Sequence, residues 1–127
     1  TGTESVLVVD DEQIIVDMIK EILGNLGYQV RTFQSPEKAL AEFKDHASQY
    51  DLVITDMTMP GITGDRLAKE MLQVRPDIPI ILCTGYSELI DEERAKSMGI
   101  SAYVMKPIIL REISMTLRKI FDAQGPR

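Results

Sequence analysis

Three aspartates, a threonine and a lysine stand where separate apolar runs stop. Asp10 and Asp11 follow Val6–Val9, Asp56 follows Leu52–Thr55, Thr84 follows Ile80–Cys83, and Lys106 follows 102–105. Carboxylates gathered at one place repel, and two unit charges ~4–5 Å apart cost several kcal/mol at an effective dielectric of about 20. A cation must offset that cost. Lys106 carries one positive charge and a hard divalent ion carries two. Mg2+ suits such a cluster, because it accepts a few carboxylates and keeps waters for an incoming phosphate. A carboxylate nucleophile, a cation on the phosphoryl oxygens, and an ammonium and a hydroxyl on the product together describe phosphoryl transfer onto an aspartate. The product would be an acyl phosphate, a transient signal instead of a stable mark.

Residues so far apart in the chain meet only if the intervening elements bring them together. The runs Val6–Val9, Gln29–Phe33, Leu52–Thr55, Ile80–Cys83 and 102–105 alternate with five helix-like segments. Most of these runs are continuously apolar, as strands covered by helices on both faces are. Helical spacing relates Ile15, Ile19, Ile22 and Leu26 in the first helix, and Leu67, Met71 and Leu72 in the third. In the second helix, Ala39, Leu40 and Phe43 follow the cap-like Ser35-Pro36-Glu37. The last runs from about Leu110 to Phe121, with Ile113, Leu117 and Ile120 on one face. Gly27, Gly61, Gly64 and Gly99 fall between elements, where turns and helix ends need them. This order predicts an α/β fold, a (βα)5 doubly wound five-stranded parallel sheet with right-handed crossovers. Ligands on such sheets bind beyond the C-terminal ends of the strands, where the polar residues stand.

With 127 residues, 44% hydrophobic and 27% charged, the composition is that of one ordinary globular domain. That domain is expected over 4–122, with a frayed tail over 123–127. No apolar run reaches a membrane span and no signal-peptide pattern precedes the first strand, so a cytoplasmic domain without membrane insertion is expected. The net charge of −6 argues against nucleic acid as a partner. The lone Cys83 excludes an internal disulfide and reads as a buried thiol. Met18, Met71, Met98, Met105 and Met115 read mostly as core or near-core residues, His46 as a surface residue, and Asp91-Glu92-Glu93 as a solvated helix face. The chain begins at Thr1, as a segment of a longer protein or a processed chain would.

Four motifs carry a resemblance: Val8-Val9-Asp10-Asp11-Glu12, Asp56-Met57-Thr58-Met59-Pro60-Gly61, Thr84-Gly85 and Lys106-Pro107. In this order and spacing they resemble the signatures of the bacterial response-regulator receiver family of two-component signalling, over about residues 4–122. The resemblance implies a flavodoxin-like strand order 2-1-3-4-5 and Asp56 as phospho-acceptor. It implies Mg2+ held by Asp11, Asp56 and the Thr58 carbonyl, with Asp10 acting mainly through water. Lys106 would pair with the phosphoryl group, and Pro107 would follow a cis peptide. Thr84 and Tyr103 would be the switch pair, biasing a surface formed by the fourth helix, fifth strand and fifth helix. Dimerisation through that surface is a further expectation. Thr58 and Tyr86 occupy the positions that tune phosphoryl lifetime. The implied phosphodonor is a histidine kinase or histidine phosphotransfer domain, with Ile14, Ile15 and Met18 on the first helix as its docking residues. The lead-in 2–7 and the turn Thr84-Gly85-Tyr86-Ser87 look most like the C-terminal receiver of a hybrid sensor kinase, beside a larger regulator or a stand-alone one.

Each residue also has a plain explanation. Asp10 or Asp11 could cap a helix, Pro60-Gly61 is turn chemistry, and Lys106 could be a solvated strand-end charge. Those explanations do not account for all the charges gathering on one rim. A flavin module would need a Ser/Thr/Gly-rich phosphate loop where Asp10-Asp11-Glu12 stands. An aspartate-nucleophile phosphatase would need an acid two residues past Asp56, where Thr58 stands. A receiver-like binding module that is never phosphorylated is the remaining alternative, and it is disfavoured because every acidic and lysine position is kept.

Overall fold

The computed structural model describes residues 4–57, 59, 61–84, 100, 102–105 and 110–123, with side chains except at 84, 102–105 and 110–114. Five strands, β1 (Ser5–Val9), β2 (Gln29–Phe33), β3 (Leu52–Asp56), β4 (Ile80–Thr84) and β5 (Ala102–Met105), form one parallel sheet in the order β2-β1-β3-β4-β5. Helices α1 (Gln13–Asn25), α2 (Pro36–His46) and α3 (Gly64–Val74) and a C-terminal helix (Leu110–Ala123) are described with them. The fourth expected helix, with Asp91-Glu92-Glu93, Met98 and Gly99, lies outside the described residues, as do residues 124–127. The expected sheet and its strand order are observed. Two strands run one residue further than their apolar runs, so Asp56 and Thr84 are the last residues of β3 and β4.

Alternation along each strand divides the core in two. Leu7, Val9, Val53, Ile80 and Leu82 face a layer containing Ala39 and Phe43 of α2 and Leu67 and Met71 of α3. Val6, Val8, Leu52, Ile54, Ile81 and Cys83 face Val16, Ile19 and Leu23 of α1 and Leu117 and Phe121 of the C-terminal helix. Fully burying a side chain of this class stabilises by about 1.5–3 kcal/mol, so either layer suffices to hold its helices on the sheet. Cys83 is buried in the second layer, as expected.

In α1 the buried face is Val16, Ile19 and Leu23, while Ile15, Ile22 and Leu26 pack partly buried beside it. The expected stripe is therefore turned by roughly two-thirds of one residue's ~100° step, because apolar residues cover more of this helix than one face needs. Ile14 consequently points away from the core and is 80% exposed. Met115 corrects the expectation of core methionines: it stands opposite Leu117 and Phe121 on its helix and is 63% exposed. Met71 is buried and Met18 partly so.

Local chemistry sets the helix ends. Ser35 caps α2 by accepting from the Lys38 N–H at 3.3 Å, with Pro36 at the first helical position. At the end of α1, Gly27 has φ +96°, and the Tyr28 and Gly27 N–H groups donate to the carbonyls of Leu23 and Gly24 at 3.1 and 3.0 Å. That is a Schellman closure, which requires a residue tolerant of positive φ. It turns the chain directly into edge strand β2.

Far from the strand C-termini, Glu42 of α2 accepts from the Tyr50 hydroxyl at 2.7 Å and pairs with Arg31 at 3.3 Å and His46 at 3.2 Å. His46 is a surface residue, as expected. The Tyr50 hydrogen bond, followed by the nearby positive charges, holds the Glu42 carboxyl below its usual range. Burial, with the same hydrogen bond and the Glu42 charge, pushes the Tyr50 hydroxyl up to about 12. The depressed carboxyl contributes stability above the unfolded carboxylate range and loses it as pH falls through the folded value. The raised phenol contributes below pH 10 and loses it as pH rises towards about 12. Denaturant unfolding across pH should therefore show the stability gap between wild type and Tyr50→Phe closing at both ends. A gap independent of pH would contradict the coupling.

Candidate functional site

Parallel register brings the acidic residues together. Val9 of β1 pairs with Thr55 of β3, so the next step places Asp10 alongside Asp56 on strands ~4.8 Å apart. The Asp10 N–H continues the ladder by donating to the Phe33 carbonyl at 3.1 Å, and the Met57 N–H donates to the Cys83 carbonyl at 2.9 Å. Both loops thus leave the sheet in fixed directions.

Carboxylate oxygens of Asp10, Asp11 and Asp56 all lie within 4.8 Å of one another. Asp10 is 2% and Asp56 3% exposed, and Asp11 is more open than either. At such a separation each pair of charges repels by about 3–4 kcal/mol at an effective dielectric of about 20. The oxygen-only donor set fits a hard divalent cation, which would complete its coordination with water or a carbonyl and leave the open side for a phosphate. The helix-capping explanation of the acidic pair does not hold. Glu12 occupies the N-cap of α1 without a side-chain cap bond, while Asp10 Oδ1 accepts from the Glu12 N–H at 2.9 Å in a two-residue turn.

The loop between β3 and α3 is held from two sides by glycines. Gly61 has φ +90°, and a Cβ there would run into the Glu37 carboxylate at the start of α2. Gly64 opens α3, and its N–H donates to the Met57 carbonyl at 2.7 Å. A Cβ on Gly64 would overlap the Asp56 carbonyl oxygen and crowd Leu82 Cδ1 at 2.9 Å. Gly64 was expected to serve a turn; instead it lets the helix press against the backbone of Asp56. The buried Thr55 hydroxyl donates to the same Asp56 carbonyl at 3.1 Å.

Of the residues expected at the site, the structure gathers Asp10, Asp11 and Asp56. Thr84 ends β4 beside Met105 of β5, and Tyr103 pairs in register with Leu82. Lys106, Pro107, Thr58 and Tyr86 lie outside the described residues, as do the side chains of Thr84 and Tyr103. Ile14 is exposed on α1, and Ile15 and Met18 are partly buried. Gly64, Thr55 and Gln34, whose amide reaches the Asp11 carbonyl at 3.3 Å, were not expected to serve the site. Gly64 and Gln34 carry no signal in a linear sequence, since each acts on a backbone carbonyl brought close by folding, whereas Thr55 acts on the carbonyl of its own neighbour in the chain. Among the described residues no helix is long and apolar enough to cross a membrane.

Comparisons with known proteins agree on one family. A family model described as the response regulator receiver domain matches residues 6–118. The sensory transduction protein RegX3 of Mycobacterium bovis is 32% identical over 121 residues, which cover 95% of this chain and 52% of that protein. The chain spans about half, or less, of the length of the curated relatives it matches. A receiver domain crystal structure from Clostridium thermocellum superposes with a TM-score of 0.90 at 30% identity, covering 95% of this chain and 96% of that one. The response regulator TrrA of Thermotoga maritima, solved in complex with Mg2+ and BeF, superposes with a TM-score of 0.81 at 37% identity, covering 92% and 98%.

Proposed function

This chain belongs to the response-regulator receiver domain family of two-component signalling, and on that premise we propose that Asp56 accepts a phosphoryl group from a phosphohistidine. The observation that carries the proposal is the cluster of Asp10, Asp11 and Asp56 oxygens within 4.8 Å at the C-terminal edge of the sheet. An Asp56 carboxylate oxygen forms the bond to phosphorus as the phosphorus–nitrogen bond to the donor imidazole breaks. Asp11, Asp56 and the Thr58 carbonyl would hold Mg2+, with Asp10 acting mainly through water. Mg2+, when bound, neutralises charge on the phosphoryl oxygens. Thr55 and Gly64 keep the Asp56 backbone in place while its side chain reacts. Lys106 pairs with the product phosphate, and the Thr84 hydroxyl and Tyr103 ring respond to it. That response biases the surface of the fourth helix, fifth strand and fifth helix, through which two copies pair. Thr58 and Tyr86 set the lifetime of the acyl phosphate, Tyr86 by screening it from water.

The test is intact mass after incubation with acetyl phosphate and Mg2+, beside an EDTA control. A labile phosphoryl adduct that needs the metal is expected. Its absence, with beryllofluoride also failing to change the protein's spectrum, would favour the binding module that is never phosphorylated.

Ile14, Ile15 and Met18 support a docking site for a helical domain of a histidine kinase or for a histidine phosphotransfer domain. The 80% exposure of Ile14 beside the acidic loop favours this role, since a large apolar side chain there lacks a core to join. Ile14→Glu should slow transfer from the kinase about tenfold or more while sparing labelling by acetyl phosphate. Equal loss with both donors would remove the docking role. The net charge of −6 supports a protein partner over nucleic acid, and membership of the receiver family supports a cytoplasmic location. We place the domain over 4–122, within a hybrid sensor kinase or larger regulator.

A further inference from the structure

We propose that Gln34 is a positioning residue for Asp11, holding the acidic loop in the arrangement that binds Mg2+. The proposal rests on the Mg2+ reading above. The two aspartates of the loop are held very differently. Asp10 is buried, its N–H is tied to Phe33, and its carboxylate is turned back onto the Glu12 N–H. Asp11 is more open, and among the described residues its one hydrogen bond is accepted by its carbonyl from Gln34 Nε2 at 3.3 Å.

Gln34 is well based for this work. The residue before it, Phe33, is the last of β2 and pairs with Val9 of β1. The residue after it, Ser35, caps α2. A donor on so short and doubly anchored a segment restrains the Asp11 peptide, and with it the direction of the Asp11 Cα–Cβ bond. Partners that orient a metal ligand in this way raise metal affinity by removing the cost of ordering the ligand at the moment of binding.

Removing the donor should leave folding intact, because Gln34 is exposed. For Gln34→Met, nearly the same shape without the amide, calorimetry should show Mg2+ binding weakened by about threefold to tenfold. The Mg2+ concentration giving half-maximal labelling by acetyl phosphate should rise by the same factor. The melting temperature without metal should stay at the wild-type value. Gln34→Glu separates position from charge. Its carboxylate would repel the Asp11 carbonyl yet add a negative charge that by itself attracts Mg2+, and weaker binding is expected. Unchanged Mg2+ affinity in Gln34→Met, or tighter binding in Gln34→Glu, would overturn the proposal. So would a fall in metal-free melting temperature at constant affinity. If the wild-type protein itself bound no Mg2+, the metal reading would fail first and carry this proposal with it.

Discussion

Asp56→Asn should abolish the labile phosphoryl adduct altogether while leaving a folded protein. The exchange keeps the size of a side chain that is 3% exposed but removes the nucleophilic oxygen, and an amide does not replace it. Labelling by acetyl phosphate should fall by at least ~10³-fold, to the background of the EDTA control, since removing a reacting group is among the largest effects in catalysis. The variant also relieves repulsion with Asp10 and Asp11, whose oxygens lie within 4.8 Å of those of Asp56. Intact mass and circular dichroism together check the result. An adduct of unchanged yield on a well-folded variant would place the acceptor elsewhere.

Gly64→Ala should be the most damaging single methyl group in the loop between β3 and α3. The added Cβ would overlap the Asp56 carbonyl oxygen, which is backbone in a fully buried strand and has no rotamer through which to withdraw. Leu82, also crowded, is buried in the layer beneath α3. Either α3 lifts from the sheet or the end of β3 moves. Overpacking of this kind costs about 1–3 kcal/mol. For a domain of this size that lowers the melting temperature by roughly 3–15 °C. A shift of ~1 Å at the acceptor can slow transfer by ~10²-fold even with every reacting group present. Labelling rate and thermal unfolding should therefore both suffer. By contrast, Gly24→Ala, where an added Cβ meets nothing within 4 Å, should be tolerated. Wild-type labelling by a stable Gly64→Ala protein would show that the close approach is not needed.

The sequence by itself determined the fold class and which carboxylates gather on one edge of the sheet. Continuous apolar runs such as Leu52–Thr55 demand burial on both faces, and their alternation with helical segments leaves a parallel, doubly covered sheet. Carboxylates at the ends of two such runs then share one edge, because parallel strands bring their C-terminal ends together. Side-chain identity and strand direction are both properties of the chain read in order.

Tertiary structure decided everything that depends on which surfaces meet. The α1 stripe settled on Val16, Ile19 and Leu23 because two overlapping apolar faces competed and the sheet could cover only one. Ile14 was left outside for the same reason. Asp56 became the last residue of β3 because β4 supplied a ladder partner, Cys83. Gly64 and Gln34 acquired their roles only through carbonyl oxygens on other segments, 8 and 23 residues away in the chain. A glycine or glutamine looks the same in sequence whether its neighbour in space is water or the peptide of a clustered aspartate, and only packing tells them apart.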